Sequence, residues 1–293
     1  MKEYILGTDW WDDCDDVVAV RILARAHKEG RINLKAIAIN VYHEYSVPSL
    51  DGFLQLENVQ NIPIGIDREA TDFEGVPTYQ KYLKQYAESY RSNKDAEDGV
   101  RLYRRIMANS EQNLEIMEIG YLQILANVLK SNPDDISDKS GVELVKEKVS
   151  KIWVMAGKWD EDGGVENNFA RNARARVAAE EFCKLCPVPV TFLGFEIGAD
   201  VITGDELEKE DFLYRAMCEH GFENGRNSWD PMLVELAITG DEAKAGYNVV
   251  KGTARVDKFT GANFFERSES GMHQFVVRKH PVDYYKEKIN LLL

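Results

Sequence analysis

Short apolar runs alternate with longer amphipathic stretches over the first two-thirds of the sequence. The runs are rich in β-branched residues, as buried parallel strands are. This alternation predicts βαβ units, and therefore a mainly parallel, doubly wound, Rossmann-like α/β sheet with helices on both faces. The predicted strands are residues 4–6, 34–39, 62–66, 114–119, 152–155 and 188–193, and the predicted helices are residues 17–27, 78–90, 122–130 and 174–184.

The last third of the sequence has a different pattern. Residues 230–239 indicate one more helix, and residues 247–277 indicate a small antiparallel appendage. Because there is no internal repeat and no low-complexity linker, we expect residues 1–293 to form a single domain.

The charge and the cysteines restrict the partners and the compartment. A formal net charge of −14 argues against nucleic acid or an anionic membrane as the main partner. No apolar run is long enough for a membrane span or a signal peptide. The four cysteines lack the spacing of a disulfide framework. We therefore expect a cytoplasmic protein that binds a small molecule.

The predicted strand ends carry polar residues. In an open parallel sheet, ligands bind beyond the carboxyl ends of the strands. Strand ends here lead into Asp9, Asn40, Asp67, Asp160 and Glu196. A rim rich in carboxylates is typical of a site for a hard cation or a sugar.

The segment from Gly7 to Asp16 contains five aspartates in eight positions: Asp9, Asp12, Asp13, Asp15 and Asp16. Helix capping explains one or two of them. Five carboxylates repel one another unless a cation neutralises them. Oxygen ligands suit Ca²⁺ or Mg²⁺, whereas zinc would draw on His or Cys.

This segment resembles the N-terminal signature of the inosine–uridine preferring nucleoside hydrolase family. In that signature an aspartate ends the first strand, and a pair of aspartates opens the next helix before a small apolar run. The corresponding residues here are Asp9, the pair Asp15 and Asp16, and residues 17–20. The spacing is two residues longer, so Asp13 competes with Asp15 for one role.

Four more segments resemble the family in the same order along the chain. They are residues 38–41 with Asn40, residues 119–122, residues 166–169, and residues 228–231 with Asp230. The resemblance thus extends from about residue 5 to residue 240 and implies hydrolysis of the N-glycosidic bond of a riboside.

The resemblance also implies a role for each matched residue. Asp9 is the general base for a metal-activated water, and Asn40 lies near that water. The implied Ca²⁺ ligands are Asp9, Asp16, Asp230 and the carbonyl of Ile119. The implied substrate-binding residues are Asp15, Asp160, Glu166, Asn168 and Trp229.

One departure concerns the leaving base. Many members carry a histidine just before the last aspartate, but this chain has Trp229 there. His43 is a candidate replacement as an acid. Alternatively, the tryptophans predicted at the rim (Trp10, Trp11, Trp159 and Trp229) hold a flat ring by stacking.

Two other classes of function remain open. A Mg²⁺-dependent phosphohydrolase also places an aspartate after its first strand, although the lysine that such a site needs has no convincing position here. A calcium-dependent nucleoside- or sugar-binding protein without activity is the second. By resemblance we expect a homo-oligomer, dimer or tetramer, with a role in purine or pyrimidine salvage.

Overall fold

The computed structural model describes residues 1–11, 13–111 and 114–293. Asp12, one of the five clustered aspartates, lies outside the described residues. Within those residues the strands are β1 (Glu3–Thr8), β2 (Asn33–Ile39), β3 (Ile64–Ile66), β4 (Glu97–Asp98), β5 (Leu114–Glu118), β6 (Val149–Met155), β7 (Val190–Leu193), β8 (Ile202–Thr203), β9 (Arg226–Asn227), β10 (Tyr247–Val256), β11 (Asn263–Arg267) and β12 (His273–Arg278).

The helices surround the strands. In chain order they are α1 (Asp15–Lys28), α2 (Ser46–Leu56), α3 (Tyr79–Leu83), α4 (Gly99–Asn109), α5 (Gln123–Lys130), α6 (Gly141–Lys148), α7 (Asn167–Ala170), α8 (Ala173–Leu185), α9 (Phe195–Gly198), α10 (Phe212–Glu219), α11 (Trp229–Thr239), α12 (Glu242–Ala245) and α13 (Val282–Asn290), with 3₁₀ turns at Lys84–Tyr86 and Asn93–Asp95. None of the described helices is long and apolar enough to cross a membrane.

One large sheet organises the chain. Its order is β11-β10-β12-β7-β6-β5-β1-β2-β3-β4. Every pairing from β12 to β4 is parallel, and β10 is antiparallel to both of its neighbours. The predicted α/β class is confirmed. The predicted C-terminal antiparallel segment is continuous with the main sheet, because β12 pairs with β7.

Alternate side chains of the strands bury themselves on opposite faces of the sheet. In β1, Tyr4 and Leu6 pack in the core that contains α1 and α11. Ile5, between them, packs in the core that contains Leu102 of α4 and Leu125 of α5. Helices therefore cover both faces, as a doubly wound sheet requires.

The predicted helix over residues 78–90 is wrong. Helix α3 ends at Leu83, and only a 3₁₀ turn follows. The carboxylate of Asp51 on α2 accepts the backbone N–H groups of Glu88, Ser89 and Tyr90 at 2.8, 2.8 and 3.1 Å. Because a buried side chain satisfies these donors, this segment does not need helical hydrogen bonds.

Glu118, the last residue of β5, is a fully buried acid beneath the carboxyl edge of the sheet. The hydroxyl of Tyr103 donates to its Oε1 at 2.6 Å, and its Oε2 has no hydrogen-bond partner among the described residues. A Cβ at Gly7 on the neighbouring strand would lie 1.9 Å from that Oε2, so glycine makes room for the carboxyl group. Burial raises the pKa of Glu118 to about 8.

This raised pKa predicts how Glu118→Gln changes stability with pH. The folded state keeps a proton that the unfolded chain releases above its ordinary pKa of about 4.3. The contribution of Glu118 to stability is therefore complete below that pH and is lost as the pH rises through about 8. At pH 4 the variant should match the wild type in urea unfolding with EDTA present. At pH 8.5 it should be more stable, by on the order of a few kcal/mol.

The exposed Glu29→Gln is the matched control and should show no such difference between the two pH values. An equal effect of Glu118→Gln at both pH values would contradict the raised pKa.

Candidate functional site

The strand order reverses its direction of growth between β1 and β5. From β1 the chain adds β2, β3 and β4 on one side, and from β5 it adds β6 and β7 on the other. Such a switch point opens a crevice at the carboxyl ends of the two strands. Asp9 follows β1 and Ile119 follows β5, so both residues lie at this crevice.

A cavity of about 290 Å³ lies at this place. Six acidic side chains and two aromatic rings contribute to its wall. The residues that line it are Asp9, Asp13, Asp15, Asp16, Ile119, Met155, Glu166, Asn167, Asn168, Phe195, Arg226, Trp229 and Asp230.

Asp15, Asp16 and Asp230 form a compact group of carboxylates. One oxygen from each lies within 4.8 Å of the others, and all three residues are buried. Asp15 and Asp16 begin α1, and Asp230 lies in the first turn of α11. The backbone N–H groups of Trp229 and Asp230 donate to Asp15 at 3.2 and 3.1 Å, and they join the two helix starts.

Burial, and then repulsion by neighbouring carboxylates, which include Asp9 and Asp13, raises the pKa of each of the three well above its usual range. A cation between them removes that penalty. Ile119 also lines the cavity, and its backbone oxygen accepts a long hydrogen bond of 3.5 Å from Asn168. Oxygen donors alone make up this set, which fits a hard divalent cation such as Ca²⁺ or Mg²⁺.

Asp9 lies in the same cavity but outside the group of three. Its Oδ1 accepts the backbone N–H of Trp11 at 3.0 Å, and its charge contributes to the raised pKa of Asp16. The sequence placed Asp9 among the metal ligands and Asp15 on the ribose. In the structure, Asp15 is the residue that groups with Asp16 and Asp230.

Asn40 follows β2 and is fully buried, and its backbone N–H donates to the carbonyl of Thr8 at 2.9 Å. Its Oδ1 accepts the backbone N–H of Tyr121 at 3.1 Å, and within the part of the chain that the structure describes its Nδ2 has no hydrogen-bond partner. A Cβ at Gly120 would lie 2.4 Å from the backbone nitrogen of Asp9 and 3.0 Å from the Oδ1 of Asn40. The glycine after Ile119 therefore allows the turns after β1, β2 and β5 to meet.

Glu166 and Asn168 also line the cavity. The backbone N–H groups of Gly157 and Asn168 donate to the Glu166 carboxylate at 2.8 and 2.7 Å, and its burial raises the pKa of Glu166 to about 7. The Nδ2 of Asn168 donates to the carbonyl of Met155 at 2.9 Å. Both polar side chains are held in place, as a site that grips sugar hydroxyls requires.

Of the four tryptophans predicted at the rim, Trp229 is the one among the described lining residues. It stacks on Phe195 with ring centroids 5.4 Å apart. Trp10 adopts a φ of 50° and turns its ring into the core, where its Nε1 donates to Ser49 at 2.8 Å. Trp11 is also buried, and Trp159 stacks on Phe275, so neither is among the described lining residues.

Two further candidates do not reach the cavity. Asp160 is 51% exposed and forms an ion pair with Lys158 at 2.8 Å. His43 packs against Trp11 with ring centroids 4.5 Å apart and is not among the described lining residues.

Sequence reasoning missed Arg226, Phe195 and Asn167. Arg226 forms an ion pair with Asp13. Asp13, which the sequence left as an alternative to Asp15 for one role, therefore has a partner of its own. The one signal for Arg226 in the sequence was its position close to the segment that contains Asp230.

No protein-family model matches the chain, and no curated protein matches it. Solved structures do. The inosine–uridine preferring nucleoside hydrolase from Bacillus anthracis has 13% identity and a TM-score of 0.69, with 100% of this chain and 99% of that chain covered. The purine-preferring ribonucleoside hydrolase from Gardnerella vaginalis has 15% identity and a TM-score of 0.69, with 99% and 98% covered. The type III effector protein XopQ, complexed with adenosine diphosphate ribose, has 16% identity and a TM-score of 0.63, with 99% and 92% covered.

These structures establish the class of fold. The chain has, over its whole length, the α/β fold of nucleoside hydrolases, which confirms the resemblance found in the sequence at the level of fold.

Proposed function

We propose that this protein is a Ca²⁺-dependent N-ribohydrolase that splits ribonucleosides or related ribosides into base and ribose. The observation that carries the proposal is the meeting of Asp15, Asp16 and Asp230 in a cavity at the switch point of a nucleoside hydrolase fold. Mutually repelling buried carboxylates are costly unless they serve a cation.

We assign a role to each side chain from its position in the cavity. Asp15, Asp16, Asp230 and the carbonyl of Ile119 would hold the cation, with Asp9 beside them. A bound Ca²⁺ supplies orientation and a lowered pKa for a water at the sugar. Asp9 would accept a proton from the attacking water as general base, and Asn40 would lie near that water.

Glu166 and Asn168 hold ribose hydroxyls, and Trp229 with Phe195 offers a flat surface to the base. Asp160 lies outside this cavity and has no role in the proposal. The homo-oligomeric state, the cytoplasmic location and a role in salvage stay predictions.

A panel of purine, pyrimidine and nicotinamide ribosides tests the proposal by measuring free ribose. We expect release from at least one riboside, loss of release with EDTA, and recovery with added Ca²⁺. Release that is unaffected by EDTA would contradict the metal requirement. Phosphate released from phosphate esters, with no ribose released from ribosides, would favour a phosphohydrolase. No lysine is among the described residues that line the cavity. Because a phosphohydrolase site of this kind needs a lysine, the cavity does not favour that alternative.

A riboside-binding protein without hydrolysis is the second candidate. It is favoured by the same fold in an effector protein complexed with adenosine diphosphate ribose. Calorimetry that finds tight riboside binding, with no sugar formed over days, would support this candidate instead.

A further inference from the structure

Arg226 is the single cationic side chain among the described residues that line the cavity. It lies in β9, three residues before Trp229, and its side chain is 23% exposed. Its partner is Asp13, which belongs to the loop between β1 and α1. The carboxylates of the proposed cation site already need a divalent ion, so Arg226 is available for a different task in the same cavity.

The hydrogen bonds of Arg226 fix the orientation of its guanidinium group. Nε and Nη2 donate to the carboxylate of Asp13, with Nε at 2.8 Å from Oδ1, and Nη1 donates to the Oδ1 of Asn227 at 2.9 Å. A guanidinium carries five N–H groups. These contacts leave one N–H on Nη1 and one on Nη2, two neighbouring nitrogens of the same planar group.

Aromatic rings hold the same group in place. The guanidinium carbon lies 4.4 Å from the ring centroid of Phe222 and 5.2 Å from that of Trp229. Trp229 itself stacks on Phe195. The paired donors of Arg226 therefore lie next to the aromatic surface on which the proposed function places the base.

The chemistry of the leaving base determines what such a donor pair can do. When the N-glycosidic bond breaks, its two electrons stay on the base, the oxygen of water bonds to C1′, and Asp9 takes the proton of that water. The base then gains a proton from solvent. An arginine cannot supply that proton, because it does not deprotonate in proteins. It can stabilise the negative charge that builds up on the base.

We propose that Arg226 binds the leaving base and selects 6-oxopurine ribosides, those of hypoxanthine and guanine. This inference rests on the proposed function. Oxygen O6 and nitrogen N7 of a 6-oxopurine are two adjacent acceptors that match a pair of arginine N–H groups. Adenine presents an N–H donor in place of O6, so it can satisfy only one of the two donors.

The test compares kcat/KM for inosine, guanosine and adenosine in the wild type, Arg226→Ala and Arg226→Lys. We expect the wild type to favour inosine over adenosine. Arg226→Ala should lower kcat/KM for inosine by about 10- to 100-fold and that for adenosine by clearly less. Arg226→Lys keeps the charge but loses the paired geometry, so it should restore only part of the preference. Arg215→Ala, which removes a side chain that is 62% exposed on α10, is the matched control.

Asp13→Asn separates base recognition from anchoring of the loop. It removes the charge of Asp13, but the Oδ1 of the asparagine can still accept the N–H of Nε, so Arg226 keeps its orientation and the ratio of inosine to adenosine should be preserved. If it abolishes that ratio as Arg226→Ala does, the arginine acts only through the loop and the inference fails.

The remaining outcomes separate the inference from the proposed function. Equal losses for adenosine and inosine in Arg226→Ala, or a wild type that favours adenosine, would overturn the inference and leave the hydrolase proposal intact. No sugar from any riboside would overturn the hydrolase proposal. In that case calorimetry decides: tighter binding of inosine than of adenosine, lost in Arg226→Ala, supports base recognition, and equal binding overturns it.

Discussion

Asparagine in place of Asp9 is expected to lower kcat for riboside hydrolysis by roughly 10²- to 10⁴-fold, the usual contribution of a general base. The fold should survive, because an asparagine Oδ1 can still accept the N–H of Trp11. KM should change little. The stabilisation by Ca²⁺ in thermal unfolding should persist, since Asp15, Asp16 and Asp230 form the carboxylate group without Asp9.

The control for Asp9→Asn is Asp135→Asn. Asp135 pairs with Arg101 on the surface and is 71% exposed, so its loss should leave both turnover and the Ca²⁺ response unchanged. A turnover of Asp9→Asn within threefold of the wild type would rule out Asp9 as the base. Loss of the Ca²⁺ response in Asp9→Asn would instead make Asp9 a metal ligand, as the sequence resemblance implied.

Asp230→Asn should abolish the Ca²⁺ response and the activity together. A ligand that binds only the folded state at 100 times its Kd stabilises it by about 2.7 kcal/mol. The variant should lose most of this increment in thermal unfolding.

Without metal, Asp230→Asn should have the opposite effect on stability. Burial, and then the neighbouring carboxylates, raises the pKa of Asp230. In the metal-free wild type, the contribution of the Asp230 carboxyl group to the free energy of unfolding is therefore complete below the ordinary pKa of an aspartate and is lost as the pH rises. At pH 8 with EDTA, the neutral asparagine should raise Tm by several degrees. A variant that is less stable than the wild type in EDTA, or that keeps its Ca²⁺ response, would contradict the proposed site.

The sequence predicted the sheet better than its helices. Residues 34–39 and 152–155 are recognisable strands because both of their faces are buried, which produces continuous apolar runs. Helix α2 was not predicted, since it is buried from Ser46 to Leu54 and has no polar face to reveal its period. The start of helix α4 was also not predicted, although Asp98 caps it by accepting the N–H groups of Val100 and Arg101.

The site residues that could be predicted are those that lie close together in the sequence. Asp15 and Asp16 are adjacent, and Glu166 and Asn168 are two residues apart, so their patterns can be read directly. Arg226 was missed because its role arises from a contact with Asp13, which is 213 positions away. Asp160 was misleading, since a strand-end acid can equally pair with an exposed lysine.

The contact of Asp15 with the backbone of Trp229 links positions 214 residues apart in the chain. The proposed cation site would thus also hold the N-terminal and C-terminal thirds of the chain together. A chelator would then weaken both catalysis and the contact between these two parts of the chain. Preparations made in chelating buffers would then be most easily cut by proteases at the start of α11, and metal supply during expression would govern yield as well as activity.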